Sequence, residues 1–350
     1  MEKSFFQSAI LTAVIVLTVV TAWELTLRHQ GYVTDYDNSP ALWANERAKV
    51  YQGADKSVVF IGASRIKYDL DIPTFENTTG LSVVQLAIEG STCRTILDDL
   101  ANDVNFKGRL IVDVTEFIIF TNSPFFFKKP TENLKYYHKH TPAEQASFYV
   151  NNFLESQFVF LDKDNLSLNA QLNALEIPSR KGVFMMPTFP ADFDRGTFAR
   201  QSYMANSFVN DTTKQQQVQA IWGFIGKALG QGPPMPDAEL NTIFESIKTA
   251  TDKIKARGGD IIFVRTPCSG PSLGELKDFP REKYWERLLN YTHCQGIHFT
   301  DYTATNHFIC PEFSHLKPTD AVIYTQSLIQ TLDKDKGWVM NASNKLIVKK

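Results

Sequence analysis

Two short stretches carry residue types suited to one chemistry. The apolar run Val58–Ile61 ends in Gly-Ala-Ser-Arg, which leaves the Ser64 hydroxyl where a buried strand stops. Far along the chain, Pro-Glu-Phe-Ser-His-Leu places Glu312 three residues before His315. A serine hydroxyl attacks a carbonyl only when a base removes its proton, and imidazole is the side chain suited to that work. A carboxylate on the other ring nitrogen fixes the tautomer and stabilises the imidazolium. A developing oxyanion also needs N–H donors, and a small residue such as Gly90, in Ala-Ile-Glu-Gly-Ser-Thr-Cys, leaves room for it to approach. Each motif has a plain alternative: Gly and Ser are ordinary turn residues, and His315 can simply open a helix.

Other polar residues fall near apolar run ends. Asp-Val-Thr-Glu-Phe contributes Asp113, Thr115 and Glu116, and Val-Arg-Thr-Pro contributes Arg265. Arg265 either pairs with Glu116 or Glu312 or binds an anionic substrate group. Arg65 is a second substrate-binding candidate or a solvated turn residue, and Asp113 reads as a loop-holding carboxylate. His298 lies inside a strand pattern and reads as a packed histidine, whereas His307 reads as local structure. His138 and His140 could ligate a metal, but two imidazoles in a basic loop are commonly just solvated. Cys93, Cys268, Cys294 and Cys310 contain no C-x-x-C pair, and the three ways of pairing all four stay open.

The elements that must position these groups follow from the apolar pattern. Short runs at 58–61, 82–87, 109–114, 260–265 and 296–299 read as buried strands. Ile96, Leu97 and Leu100 mark a helix between the second and third. Leu240, Ile243, Phe244, Ile247 and Ile254 mark another before the fourth, with Gly258 as its C-terminal cap. A closing helix spans about 319–332. Strands alternating with helices predict an α/β fold with a central parallel five-stranded sheet, whose carboxyl edge gathers the ligand-binding residues. The interval from about 120 to 235 is too long for one crossover. It is rich in aromatics, among them Phe125–Phe127, Phe148, Phe184, Phe193 and Trp222, and it contains a capping box at Thr141-Pro142-Ala143-Glu144. This largely helical insertion reads either as a body with its own small core or as a cap that shapes the cleft or touches a membrane partner.

Composition narrows the class. With 350 residues, 43% of them hydrophobic, and a net charge of -2, the chain can bury a sizeable core. It shows no nucleic-acid-binding motif. Ser4–Trp23 holds 20 residues without a charge, enough for a helix of about 30 Å to cross a bilayer core. Val20-Thr21-Ala22 is the rival reading, a signal-peptide cleavage site. Either way the body is expected outside the cytoplasm. The uncleaved version is a single-pass membrane protein with its N-terminus cytoplasmic and its domain periplasmic or extracellular. The resulting plan is an anchor over 1–24, a linker over 25–55, an α/β domain over 56–335 carrying the insertion of about 120–235, and a tail over 336–350.

The order Gly-Ala-Ser-Arg, Leu-Ala-Ile-Glu-Gly-Ser-Thr and Pro-Glu-Phe-Ser-His-Leu resembles the SGNH (GDSL-like) hydrolase superfamily, over roughly residues 57–332 without the insertion. The membrane-anchored form is similar to accessory proteins of bacterial envelope O-acylation. That resemblance implies a flavodoxin-like three-layer fold, Ser64 as nucleophile, His315 as base and Glu312 as their acid. It implies an oxyanion hole of Ser64, Gly90 and Thr115, and no cofactor. The implied partners are an envelope polysaccharide or other acylated glycan and a multi-pass membrane acyltransferase. The alternative it leaves is a glycan-binding scaffold subunit without catalysis. Two departures stand out: the family's triad acid is Asp where this chain has Glu312, and its third-block Asn is replaced by Asp-Val-Thr-Glu-Phe.

Overall fold

The computed structural model describes residues 2–173, 175, 187–229 and 235–338. The chain divides into two compact units. One combines Met1–Asp37 with Thr141–Ala191, and the other combines Asn38–His140 with Asp192–Lys350.

The larger unit is α/β. The strands of its central sheet are β1 (Ser57–Ile61), β2 (Ser82–Gln85), β3 (Arg109–Asp113), β4 (Asp260–Arg265) and β5 (Gln295–His298), and Arg195–Gly196 pairs with Ser202–Tyr203 apart from it. The central strands run in the order β2-β1-β3-β4-β5, and every neighbouring pair is parallel. Val59 registers with Val84 on one side and Leu110 on the other, and Val264 registers with Ile297. Helices α2 (Pro40–Arg47), α3 (Ser64–Asp69), α4 (Arg94–Asn102), α6 (Thr212–Leu229), α7 (Asp237–Ala256) and α8 (Pro318–Lys334) belong to this unit.

Alternation along each strand feeds two cores. Val59, Ile61, Leu110 and Val112 pack with residues of α2, α4 and α7, while Val58, Phe60, Ile111 and Ile262 pack with residues of α3 and α8. Both faces of the sheet are thereby covered, which is why its strands read as unbroken apolar runs. The chain leaves β1 for β2 on one side and crosses to β3 on the other. The crevice of such a sheet opens where the connections diverge, at the carboxyl ends of β1 and β3.

The expected linker does not stay outside this fold. Trp43 of α2 is fully buried in the core, and its indole N–H donates to the Leu86 carbonyl at 3.0 Å. Arg200 donates to the carbonyls of Gln85 (2.7 Å) and Ala87 (3.1 Å). These side chains occupy acceptors that a longer strand would present to a neighbour, and β2 stops at Gln85, short of the expected Ala87. The insertion is not one body either, because residues from Asp192 onward belong to the sheet unit. Phe184 lies outside the described residues, as does the tail from residue 339. Trp338, just before it, is buried beside α8.

The smaller unit contains α1 (Glu2–His29) and α5 (Pro142–Gln157). Within α1, Ser4–His29 is long and apolar enough to span a membrane, with a mean hydropathy of 2.1, and none of its most apolar window is buried. Helix α5 starts at the expected capping box: Glu144 N–H donates to Thr141 Oγ1, and Thr141 N–H donates to the Glu144 carboxylate.

Candidate active site

The first strand delivers the serine. Gly62 follows Ile61, and a Cβ there would lie 2.5 Å from the Asp113 Cβ and 2.9 Å from Ile66. Only glycine lets the end of β1 approach the end of β3 so closely. Ser64 is then the first residue of α3 and remains half-buried, open enough to meet a substrate. The Gly90 loop is tied to the same spot, since Ile88 N–H donates to the Gly62 carbonyl at 3.1 Å. Gly90 adopts a left-handed φ of 57° in an exposed turn, a conformation that glycine holds at no steric cost.

A tight turn delivers the acid and the histidine. Phe313 sits between them at a left-handed φ of 78°, a strained conformation for a bulky residue. Its carbonyl accepts the Ser269 N–H at 2.9 Å, and its own N–H donates to Cys310. A Cβ on Gly270 would come within 2.6 Å of the Phe313 ring, so the residues after β4 hold this turn through a glycine contact. The turn brings Glu312 Oε1 within reach of the Ser314 N–H (3.3 Å), the His315 N–H (2.6 Å) and His315 Nδ1 (2.9 Å). Trp222 Nε1 of α6 donates to the other oxygen, Oε2. With Nδ1 donating to a buried carboxylate, the Nε2 lone pair of a neutral ring faces outward. His315 Nε2 lies 2.8 Å from Ser64 Oγ, the distance of a hydrogen bond donated by the hydroxyl.

Aromatic rings fix the imidazole in place. Tyr68 of α3 packs at 4.5 Å between centroids, and Phe193 and Trp222 each pack at 6.0 Å. Phe193 and Trp222 come from the insertion, and its second half therefore builds the wall around His315. No local motif marks Trp222 as a partner of Glu312, because 90 residues separate them and Trp222 lies in a stretch where aromatic side chains recur.

The expected substrate-binding residues form an ion-paired brace instead, closed by the partly exposed Glu275. Arg65 donates to both oxygens of Glu275 (2.9 and 2.7 Å) and to Ser314 Oγ (3.2 Å). Arg265 donates through Nε to Glu116 (3.0 and 2.8 Å) and through Nη2 to Glu275 (3.0 Å). Arg65 is 2% exposed and Arg265 is fully buried. Neither guanidinium is therefore a solvated turn group or a free anion receptor, and Glu116 is spent on Arg265. The brace ties α3, β4 and the segment after β3 to the acid–histidine turn. Burial opposes charge on Glu275, but Arg65 and then Arg265 hold its carboxyl below the usual range. Burial pushes Glu116 upward against the pull of Arg265. Glu275 had no sequence signal, since it lies in an ordinary polar stretch ten residues after Arg265.

Thr115 cannot serve the oxyanion through its hydroxyl in this arrangement, because Oγ1 donates to Asp113 Oδ2 at 3.0 Å. The backbone N–H groups of Ser64 and Gly90 have no acceptor among the described residues. Beneath the site, Asp69 Oδ1 accepts the Leu316 N–H at 2.9 Å. Asp113 Oδ1 and the Tyr324 hydroxyl are buried without a hydrogen-bond partner among the described residues. Burial raises the Asp69 carboxyl to about 7, against the opposing field of His315.

The remaining candidates take structural places. His298 is buried between Trp285 and Phe299, with its titration pushed down to about 3 by burial and by Arg265. His307 Nδ1 contacts the Thr303 carbonyl, His138 contacts Asp99, and His140 contacts the carbonyls of Tyr136 and Tyr137. The four cysteines are free thiols, three of them buried.

No family model matches this chain, and no curated protein matches it.

Proposed function

We propose that this chain is a membrane-anchored serine hydrolase or O-acyltransferase acting on an acylated glycan outside the cytoplasm, with Ser64 as nucleophile, His315 as base and Glu312 as its acid. The observation that carries the reading is the hydrogen-bonded series from Ser64 Oγ through the His315 ring to the buried Glu312. Its side-chain geometry is the one acyl transfer requires. The strand order of the sheet is also that of doubly wound, flavodoxin-like folds, in keeping with the SGNH resemblance of the three motifs.

In this mechanism the Ser64 hydroxyl attacks the acyl carbonyl while its proton passes to His315 Nε2. Glu312 accepts the Nδ1 hydrogen bond throughout and stabilises the imidazolium. The Ser64 and Gly90 amides receive the oxyanion. Collapse of the tetrahedral intermediate expels the sugar oxygen, which takes the proton from His315 and leaves an acyl-serine. A water or second sugar hydroxyl then gives its proton to His315, attacks the acyl carbonyl and restores the Ser64 hydroxyl.

One observation favours a second reading, that of a slow enzyme or non-catalytic glycan-binding subunit. The Thr115 hydroxyl is committed to Asp113, so the third motif supplies no side-chain donor to the hole. Loss of one such donor typically costs about 10²–10³ in rate. Incubating the full-length protein with O-acetylated and O-alanylated glycans, alone and with acceptor sugar, tests the proposal. Release or transfer of acyl groups by wild type but not by Ser64→Ala supports catalysis. Equal glycan binding by both, with turnover by neither, supports the subunit reading.

A further inference from the structure

Helix α5 carries an apolar stripe that nothing in its own unit covers. Pro142, Ala146, Tyr149, Val150 and Phe153 fall on one face at helical spacing, and all five are exposed, Phe153 at 64%. The acidic residues of the helix, Glu144 and Glu155, fall on the opposite side. Glu155 is buried and pairs with Lys163 at 3.0 Å. A second exposed set follows in the same unit: Leu168 and Leu172 of the short helix Leu168–Asn173, and Leu175 beyond it. Isolated exposed leucines need no explanation, but an aligned aromatic stripe without a charge does.

The connections of α5 to α1 indicate what covers it. The Glu24 carboxylate accepts the N–H groups of Val159 (3.0 Å) and Phe160 (3.1 Å), just past the end of α5. Arg28 donates to the Gln157 carbonyl at 2.8 Å and to Glu24 at 2.7 Å. These contacts pin the exit of α5 to the segment of α1 that directly follows Trp23. With Trp23 at the membrane interface, residues 24–28 extend about 1.5–8 Å beyond it, within the headgroup layer. A helix whose exit is held at that depth is placed to turn one apolar face into the interface and bury it at the acyl boundary.

We infer that α5 is an interfacial membrane helix, with Tyr149, Val150 and Phe153 inserted among lipids beside the anchor. The inference rests on α1 lying in a bilayer. No basic residue lies on the stripe, so insertion depends on apolar area rather than on anionic lipid. The test uses the full-length protein in nanodiscs of phosphatidylcholine alone, with the photoreactive residue benzoylphenylalanine placed singly at positions 15, 149, 151 and 153. Expected are lipid adducts at 15, 149 and 153 and their loss at 151, on the polar face, with the same pattern when phosphatidylglycerol is added. Lipid adducts at 15 with none at 149 and 153 would overturn the interfacial helix and leave the anchor intact. Adducts at 149 and 153 to a second copy of the chain would also overturn it, in favour of self-association. Absence of lipid adducts at 15 would overturn the anchor and the inference together.

Discussion

Two largely buried groupings of acids and bases sit side by side at the carboxyl edge of the sheet, and they differ in how their hydrogen bonds end. In the brace, Glu116, Arg265, Glu275 and Arg65 satisfy one another, leaving balanced charges and no titratable ring, with only Glu275 partly exposed. In the triad, Glu312 is also buried, but its series of hydrogen bonds runs through a titratable ring to a half-exposed hydroxyl. Proton transfer needs a terminus that substrate can reach, whereas a saturated ionic cluster can only hold shape. Ser314 joins the two, since Arg65 steadies the turn on which Glu312 and His315 stand.

Substitutions should separate the two groupings. The largest effect is expected from Ser64→Ala and His315→Ala, each lowering ester turnover by about 10⁴-fold or more with folding retained. The double variant should lose little beyond either single one, because both residues serve one step. Glu312→Gln should cost about 10²–10⁴ in kcat, since it removes the charge that stabilises the imidazolium. Glu312→Asp should also slow the reaction, because the shorter acid cannot hold both Trp222 and the His315 ring at the present spacing.

The brace should respond in stability rather than chemistry. Arg265→Met leaves Glu116 without its partner in a dry site and should cost about 3–5 kcal/mol by denaturant unfolding. Combining it with Glu116→Leu should recover part of that loss, since an apolar pair replaces an ion pair. A recovery in stability without any change in the Ser64 and His315 phenotypes would sharpen the division. Coupling of Arg265 to the kinetics at unchanged stability would break it.

Trp222→Phe probes the seam between insertion and triad. It leaves Glu312 Oε2 without its donor and should lower turnover by about tenfold, the cost of one unsatisfied buried acceptor. A separate effect concerns pH and stability. Asp69 titrates at about 7 in the fold against an ordinary 3.8, because burial disfavours its charge. The folded chain therefore binds the extra proton between those values, and stability should fall as pH rises from about 4 to about 7. Melting temperatures of Asp69→Asn across that interval should decline less steeply than those of wild type.

The parts legible in the sequence were those written in local pattern. Five apolar runs announced five strands, and the capping box at Thr141 announced the start of α5. Ser64, Glu312 and His315 were legible because small-residue turns and an acid–histidine pair leave short motifs. The brace was legible only in part: the Arg265–Glu116 pair was one of the readings offered, but a charged residue near a strand end looks alike whether it meets solvent or another charge, and Glu275 left no signal. Arg65 and Glu275 are 210 residues apart in the chain. Trp43 and Arg200 were hidden for a related reason: both cap carbonyls at the end of β2 from segments whose composition reads as polar connection and insertion.

Phosphonylation of the reactive serine tests the central claim most directly. Full-length protein in detergent should take up one fluorophosphonate per chain, located by peptide mass mapping on Ser64. Ser64→Ala should take up none, and His315→Ala should react far more slowly. No adduct on Ser64 in folded wild-type protein, or equal labelling of wild type and His315→Ala, would contradict an activated nucleophile at this site.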